Sequence, residues 1–242
     1  MNTTVIRDRV VNAVVRPRFY AWVALALCGF VVIGFARTYY LRSLSSLPPL
    51  GGLLHLHGVV FTAWLAVFIA QTRLVAAGRV DLHRRLGLAS IALAVLVIVL
   101  GVATAVDAGI RTPIRRSGLT GAQGTLVPLT SIALFTVFVS AALWFRRRAA
   151  LHKRLMVLAS IIIVAPALAR ISRWPIFGGE DSPFIRVVLL ALLLAVIAHD
   201  LVRERRVHKA TIYGVGTIVA ATIVLQLIAR SELGRSVVRA LE

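Results

Sequence analysis

Apolar residues along this chain fall into seven long stretches separated by short polar or basic segments. A helix needs about 20 apolar residues to cross the hydrocarbon core of a bilayer, which is roughly 30 Å thick. The fifth stretch is short, but Arg154 and Arg170 flank it, and we expect both side chains to extend towards the membrane interfaces. The pattern therefore predicts seven transmembrane helices, over residues 20–36, 53–72, 86–106, 126–145, 155–169, 187–202 and 210–229.

The composition supports the same interpretation. The 242 residues are 59% hydrophobic and 15% charged, with a mean hydropathy of +0.89, whereas soluble domains carry about 25% charged residues. These values exclude a soluble globular enzyme, and the single cysteine, Cys28, excludes an internal disulfide. We expect an all-α, polytopic membrane protein that forms one transmembrane bundle domain over residues 1–242.

Basic residues set the predicted orientation. The formal net charge is +19, and the 28 Lys and Arg residues occur in short groups between the apolar stretches. That distribution is typical of loops that contact anionic lipid head groups, and it does not favour nucleic acid as a partner. If the spans alternate, 17 basic residues lie on the side of the N-terminus and 11 lie opposite. Because cytoplasmic loops retain Lys and Arg, we expect a bacterial plasma (inner) membrane protein with its N-terminus inside and its C-terminus outside.

One short motif repeats. The sequence LHRRLG at 82–87 opens the third predicted span, and LHKRLM at 151–156 opens the fifth. A weaker copy, VHKA at 207–210, precedes the seventh span. Helices two to seven are therefore expected to form three hairpins, each returning through a corner that carries a histidine and a basic residue.

The repeat places three histidines, His83, His152 and His208, at a similar depth on the cytoplasmic side. His199 and Asp200 are expected close to the same depth, at the end of the sixth span. Imidazole and carboxylate groups are ligand types suited to zinc, iron or haem, so these five residues are candidate metal ligands. A plainer interpretation is that the histidines hydrogen-bond lipid head groups and helix carbonyls, and that Asp200 is paired with Arg154, Arg203 or a histidine.

The second span carries polar residues of its own. His55 and His57 are separated by about 200° around a helix, so only one of them is expected to face the bundle. His57 and Gln71 are 14 residues apart, nearly four turns, and a polar stripe is expected between them on the bundle-facing side. Alternatively, Gln71 satisfies a backbone group near the cytoplasmic end of the helix.

Several of these pieces resemble a known group of proteins. The motif LHLHG at 54–58, Gln71, and the motifs at 82–87 and 152–156 resemble a group of uncharacterised bacterial seven-helix inner-membrane proteins. The histidine corners are also similar, more distantly, to cytochrome b561-type proteins and to membrane proteins that assist cytochrome oxidase assembly. The resemblance covers helices two to seven and implies a redox or oxidase-assembly role, with respiratory-chain components as possible partners.

The same resemblance implies haem b held by histidines on neighbouring helices. His83 and His152 are the first-choice ligands, and His57, His199 and His208 are held in reserve. Basic residues beside them are implied to meet the haem propionates, namely Arg84, Arg85, Lys153 and Arg154. A b561-type protein has paired histidines on both sides of the membrane, whereas here both outer histidines lie on the second helix. Only an inner haem, between His83 and His152, is therefore expected.

Two other classes stay open. The chain resembles seven-helix zinc hydrolases of the adiponectin-receptor type in helix count, orientation and an inner cluster of His and Asp. That resemblance implies a zinc-bound water with Asp200 as the base, although the His-x-x-x-His of the final helix in that family is missing here. The remaining alternative is a transporter or structural membrane protein without a prosthetic group.

Overall fold

Helices account for nearly all of the chain that the structure describes. A computed structural model describes residues 19–111, 121–177 and 183–230. Within these ranges there are eight α-helices and no β-strand. The helices are α1 (Phe19–Phe35), α2 (Gly52–Ala76), α3 (Val80–Arg111), α4 (Gly121–Trp144), α5 (Ala149–Ile162), α6 (Ala165–Ile171), α7 (Phe184–Glu204) and α8 (Lys209–Arg230).

These helices form seven segments that are long and apolar enough to cross a membrane, as the hydropathy pattern predicts. The observed segments are Phe19–Tyr40, Gly52–Ala76, Val80–Ile110, Leu126–Trp144, Ala149–Ile171, Phe184–Glu204 and Lys209–Ile228. Several extend past the predicted bounds because the helices continue into polar residues at their ends. The described residues are therefore all-helical, with seven helices of a length and composition compatible with a multi-pass membrane protein. Eight of the 28 basic residues on which the predicted orientation rests lie in 1–18, 112–120 and 231–242, outside the described residues.

The fifth segment is the centre of the bundle. It consists of α5 and α6, which are separated by a turn at Ile163 and Val164, and Pro166 lies in the first turn of α6. A proline is tolerated there because the first amides of a helix have no acceptor within the helix. In its most apolar 18-residue stretch 67% of the residues are buried, against 11–28% in the corresponding stretches of the other six segments. The α5 helix contacts α1, α4, α7 and α8, and α6 contacts α1 and α7.

This central position explains a wrong expectation. Arg154 was expected to flank a short span and to extend to the interface, but α5 begins at Ala149 and carries Arg154 inside the bundle, where its side chain is 0% exposed. The span is therefore longer than predicted. An arginine that cannot reach water must find its partners within the protein.

Contacts between helix ends define the two ends of the bundle. At the first, which we name the His83 end, the starts of α1, α3, α5 and α8 meet the ends of α2, α4 and α7. At the opposite end, the Tyr39 end, the hydroxyl of Tyr39 donates to the carbonyl of His55 at 3.3 Å. The guanidinium of Arg170, in the last turn of α6, lies 4.0 Å from the centre of the Phe35 ring. Each predicted site residue can be assigned to one of these ends.

One close approach fixes α1 against α6. A Cβ atom at Gly34 would lie 2.5 Å from the carbonyl oxygen of Ala167, so only glycine allows the two backbones to come this close. Small residues at helix contacts are a common device in membrane bundles, because backbone packing there replaces the hydrophobic driving force that water provides.

Candidate functional site

The His83 end brings together two histidines from different helices. His83 lies in the first turn of α3 and His152 in the first turn of α5, and both side chains are half-buried. Their ring centroids are 6.2 Å apart and the ring planes cross at 78°. This is the pair that the sequence motif predicts, and its two members come from the two strong copies of the repeat.

A tight turn aligns α3 with α2. Gly78 has φ of 77°, a left-handed conformation that favours glycine. Its N–H donates to the carbonyl of Val75 at 3.0 Å, and the N–H of Arg79 donates to the carbonyl of Leu74 at 2.8 Å. These two bonds are the glycine-terminated helix ending known as the Schellman motif. The turn returns the chain at once, so Gln71 on α2 faces the start of α3.

The imidazole of His152 is fixed by the backbone of α4. Its Nδ1 lies 2.9 Å from the carbonyl oxygen of Ala142. A carbonyl oxygen only accepts, so Nδ1 carries the proton and donates it. In the neutral ring, Nε2 then has a free lone pair. A histidine that donates its other N–H to a carbonyl is the usual arrangement in metal sites, where the second bond orients the ligand.

Gln71 lies against His83. Its amide nitrogen donates to Nδ1 of His83 at 2.6 Å and to the carbonyl oxygen of His83 at 3.2 Å, and its amide oxygen accepts from the N–H of Gly87 at 3.0 Å. This amide orientation is assigned from the network. In the reverse one the amide nitrogen donates to the hydroxyl of Ser90 at 3.3 Å, but it also faces the N–H of Gly87, and the amide oxygen faces the carbonyl of His83. Gln71 therefore binds α3 through both a side chain and backbone groups.

The other predicted metal ligands lie elsewhere at the same end. Nδ1 of His208 accepts from the N–H of Ala210 at 3.1 Å, so this histidine caps the start of α8. The ring of His199 packs against Phe19 and Tyr20, with centroids 4.1 Å and 5.3 Å away. Both ring nitrogens of His199 are buried, and neither has a hydrogen-bond partner among the described residues.

Asp200 is part of a different cluster, which is fully buried. Its Oδ2 accepts from the hydroxyl of Thr211 at 2.5 Å and from the N–H of His208 at 3.1 Å. Arg154 donates to both carboxylate oxygens from Nε, at 2.9 Å and 3.1 Å, and to Oδ1 from Nη2 at 2.5 Å. Both carboxylate oxygens thus accept hydrogen bonds from protein groups, so the arrangement suits a structural ion pair better than a catalytic base or a metal ligand.

Arg154 is equally well satisfied. Besides Asp200, it donates from Nη2 to Glu204 and from Nη1 to the carbonyl of Ala150 at 2.9 Å. A haem propionate would have to displace one of these partners. Arg154 is predicted from the sequence as a partner of Asp200, whereas Glu204 and Thr211 are not. Glu204 could have been found, because it lies four residues after Asp200 and therefore on the same face of α7.

His57, the reserve ligand, lies near the Tyr39 end. Its Nδ1 is 3.2 Å from the hydroxyl of Thr104, and that hydroxyl donates its only proton to the carbonyl of Leu100 at 2.7 Å. His57 must therefore be the donor. It faces α3, whereas His55 is exposed. His57 and Gln71 thus both face α3, at opposite ends of α2, and His57 does not contact the His83 and His152 pair.

The predicted metal residues are accordingly divided among three places. His83 and His152 form one pair, Asp200 and His208 lie in the ion-pair cluster, and His199 lies beside α1. Within residues 19–111, 121–177 and 183–230 there is no group of three or more His, Cys, Asp or Glu side chains placed to hold a metal ion. Any centre at this end would have to be held by the two imidazoles alone.

Comparison with known proteins adds no relative: no family model matches the chain, and neither the curated proteins nor the solved structures give a match. The fold is that of a helical bundle with seven helices long and apolar enough to cross a membrane.

Proposed function

We propose that this chain is a plasma-membrane protein of bacterial type that binds haem b between His83 and His152 and serves a redox or oxidase-assembly role. The carrying observation is the distance of 6.2 Å between the two ring centroids. In the proposed orientation the His83 end is cytoplasmic, as the excess of basic residues on that side favours.

The spacing of the two rings is compatible with one metal held by both histidines. With metal–nitrogen bonds of about 2.0–2.1 Å, two imidazoles on one metal would have centroids roughly 5.2 Å apart at a tetrahedral angle and roughly 6.3 Å apart if the bonds pointed in opposite directions. The observed 6.2 Å lies within that range, and it is also an ordinary spacing for two rings packed edge to face. Haem needs only two protein ligands, whereas structural zinc sites use four and catalytic zinc sites three.

The environment of the pair supports the same group. His152 donates from Nδ1 to the carbonyl of Ala142, which leaves its Nε2 with a free lone pair, and neither Nε2 of the pair has a hydrogen-bond partner among the described side chains. Both rings are half-buried, and Arg84 is exposed beside His83. His83 and His152 would hold the iron. Arg84 and Arg85, both exposed, are the remaining candidates to meet a propionate, since Lys153 packs against the Tyr20 ring at 5.2 Å. When bound, haem supplies one-electron chemistry, with its potential set by the axial ligands and their hydrogen bonds.

The zinc hydrolase alternative receives no such support. It requires Asp200 as a base, and both oxygens of Asp200 are engaged by Arg154, Thr211 and the amide of His208. The competing hypothesis is a protein without a prosthetic group, which would give no haem bands in a visible spectrum.

The test is a dithionite-reduced minus oxidised visible spectrum of detergent-purified protein from haem-replete cells, with a pyridine haemochrome assay. We expect sharp α and Soret bands at close to one haem per chain. His83→Ala and His152→Ala are each expected to lose the Soret band. His55→Ala, an exposed imidazole at the opposite end, is the matched control and should retain it. Size-exclusion profiles establish that each variant is folded.

Two results would overturn the proposal. One is a flat spectrum from haem-replete cells, and the other is a Soret band retained in both histidine variants. In the first case, stoichiometric zinc by elemental analysis would indicate a zinc site, and the absence of metal would indicate a protein without a prosthetic group.

A further inference from the structure

A groove at the Tyr39 end of the bundle carries an arginine that no described residue engages. The groove has a volume of about 520 Å³, lies in the connection between α1 and α2, and is lined by Ala36, Arg37, Leu41, Leu44, Ser45 and Ser46. We propose that it binds one anionic phospholipid, whose phosphate is held by Arg37 and Ser46 while an acyl chain lies along Leu41 and Leu44. This inference concerns the opposite end of the bundle from the proposed haem and does not depend on it.

The backbone around the groove consists of two unlike turns. The α1 helix continues into a wider π-helical turn, Ala36–Tyr40, which is closed by the N–H of Leu41 donating to the carbonyl of Ala36 at 2.7 Å. A single 3₁₀ turn, Arg42–Leu44, follows. Turns of the π type are rare and occur frequently at functional sites. Residues of both turns line the groove.

Arg42 holds the rest of this connection in place. Its guanidinium donates from Nη1 to the carbonyl of Thr38 and from Nε to the carbonyl of Pro48, both at 2.8 Å. Its Nη2 donates to the same carbonyl of Pro48. All three guanidinium nitrogens of Arg42 are therefore engaged by the connection itself, so the groove is a built feature and Arg42 is not available for an outside anion.

Arg37 differs from Arg42 in this respect. It is exposed, and its guanidinium has no hydrogen bond or ion pair among the described residues. The hydroxyl of Ser46 is likewise exposed and unpaired within the described ranges, whereas the hydroxyl of Ser45 donates to the carbonyl of Arg42 at 2.7 Å. A guanidinium offers parallel N–H donors that match a phosphate, and a hydroxyl adds one more. The groove thus presents a positive charge and unused donors, which complement a phosphodiester.

The apolar side of the groove favours a lipid over a free phosphate ion. Leu41 is 52% exposed and Leu44 is 83% exposed. They follow directly after the first membrane-crossing segment, Phe19–Tyr40, so they lie where the hydrocarbon core meets the head groups. An acyl chain would cover both leucines, and burial of apolar surface is favourable. An inorganic phosphate ion would satisfy Arg37 and leave both leucines exposed.

The test is native mass spectrometry of the detergent-purified, full-length protein, titrated with phosphatidylglycerol or with phosphatidylcholine of the same acyl chains. We expect the wild type to bind one phosphatidylglycerol more tightly than phosphatidylcholine, because choline cancels the charge of its phosphate. Arg37→Gln should weaken phosphatidylglycerol binding about fivefold, the contribution of one basic residue at an anionic membrane surface. Arg186→Gln is the matched control and should keep the wild-type affinity, because it removes the same charge from an exposed arginine in the first turn of α7, at the same end of the bundle.

Leu44→Ser tests the contact with the acyl chain. This variant should also bind phosphatidylglycerol more weakly than the wild type, and millimolar inorganic phosphate should not displace the lipid from the wild type. Displacement by phosphate, with unchanged affinity in Leu44→Ser, would show a simple anion site and overturn the proposal.

Two further results would overturn it. One is an equal loss of affinity in Arg37→Gln and Arg186→Gln, which would show that only the overall charge matters. The other is equal affinity of the wild type for the two lipids, a comparison that needs no variant and so does not depend on whether a variant folds. The haem spectrum measures a separate property, so the lipid site and the proposed function can fail independently.

Discussion

Arg154 of α5 and Asp200 of α7 form a fully buried ion pair in which Nε and Nη2 of the guanidinium both contact the carboxylate, at 2.5–3.1 Å. Both side chains are 0% exposed. The hydroxyl of Thr211 in α8 and the N–H of His208, just before α8, donate the other hydrogen bonds to the carboxylate. Three helices are therefore joined by charge-assisted hydrogen bonds, in a part of the bundle where a lone charge would be very unfavourable.

Removing one member of this pair should lower the free energy of unfolding much more than replacing both members with apolar residues. Asp200→Leu leaves the guanidinium buried without its main partner, and we expect the free energy of unfolding to fall by about 3–5 kcal/mol. The double variant Arg154→Met and Asp200→Leu should be less damaging than Asp200→Leu alone. Reversible unfolding in mixed micelles measures the free energy of unfolding of the single and the double variant. A double variant as unstable as the sum of the two single variants would show that the pair does not act as a unit.

The hydroxyl of Thr211 should contribute separately. Thr211→Val keeps the shape of the side chain but removes the donor that lies 2.5 Å from Oδ2 of Asp200. A hydrogen bond to a charged group contributes about 1.5–3 kcal/mol, so the unfolding free energy should drop by roughly that amount. Thr217→Val is the control, because its exposed hydroxyl bonds only to the carbonyl of Tyr213 on its own helix. Equal losses for the two variants would contradict the importance of this contact.

A pair of glycines on α1 provides a packing test. Gly34→Ala would place a methyl group 2.5 Å from the carbonyl oxygen of Ala167, so α1 and α6 must separate. We expect a clearly lower melting temperature in detergent. Gly29→Ala meets nothing within 4 Å, and it should be neutral or stabilising by up to about 1 kcal/mol because alanine favours the helix. A Gly34→Ala protein that melts at the wild-type temperature would show that the close approach is not needed.

His208 is predicted to act as a helix cap. Its Nδ1 accepts from the N–H of Ala210 at the start of α8, so His208→Ala should cost about 1 kcal/mol of stability and His208→Asn should restore most of it. Neither change should alter haem content if His83 and His152 are the ligands. Loss of haem in His208→Asn with stability preserved would instead return His208 to the list of ligands.

Hydropathy predicted the seven spans well because crossing a bilayer imposes a length and composition on every helix, independent of its neighbours. The burial of Arg154 could not be predicted in this way. Whether an arginine near a helix end reaches the interface depends on where the helix begins, and α5 begins six residues before the predicted span, at Ala149. Helix ends are the least reliable part of any reading from sequence.

The candidate site was predicted in part for a similar reason. The repeated histidine motif indicated His83 and His152, since both open helices that run in the same direction. The motif also indicated His208, which occupies the equivalent position but turns its ring to its own backbone. A motif gives the depth of a residue along the membrane normal. The choice between facing a neighbouring helix and capping its own depends on packing, which a single sequence does not record.

The interruption at Ile163 and Val164 has a mechanical consequence. A continuous helix transmits bending along its whole length through one ladder of hydrogen bonds, and here that ladder stops in the middle of the most buried segment. The half that begins at Ala149 is anchored through Arg154 to Asp200 of α7, which in turn bonds to Thr211 of α8. The half that contains Ala167 packs closely against α1 at Gly34. The two halves can therefore tilt relative to each other more easily than the halves of an uninterrupted helix.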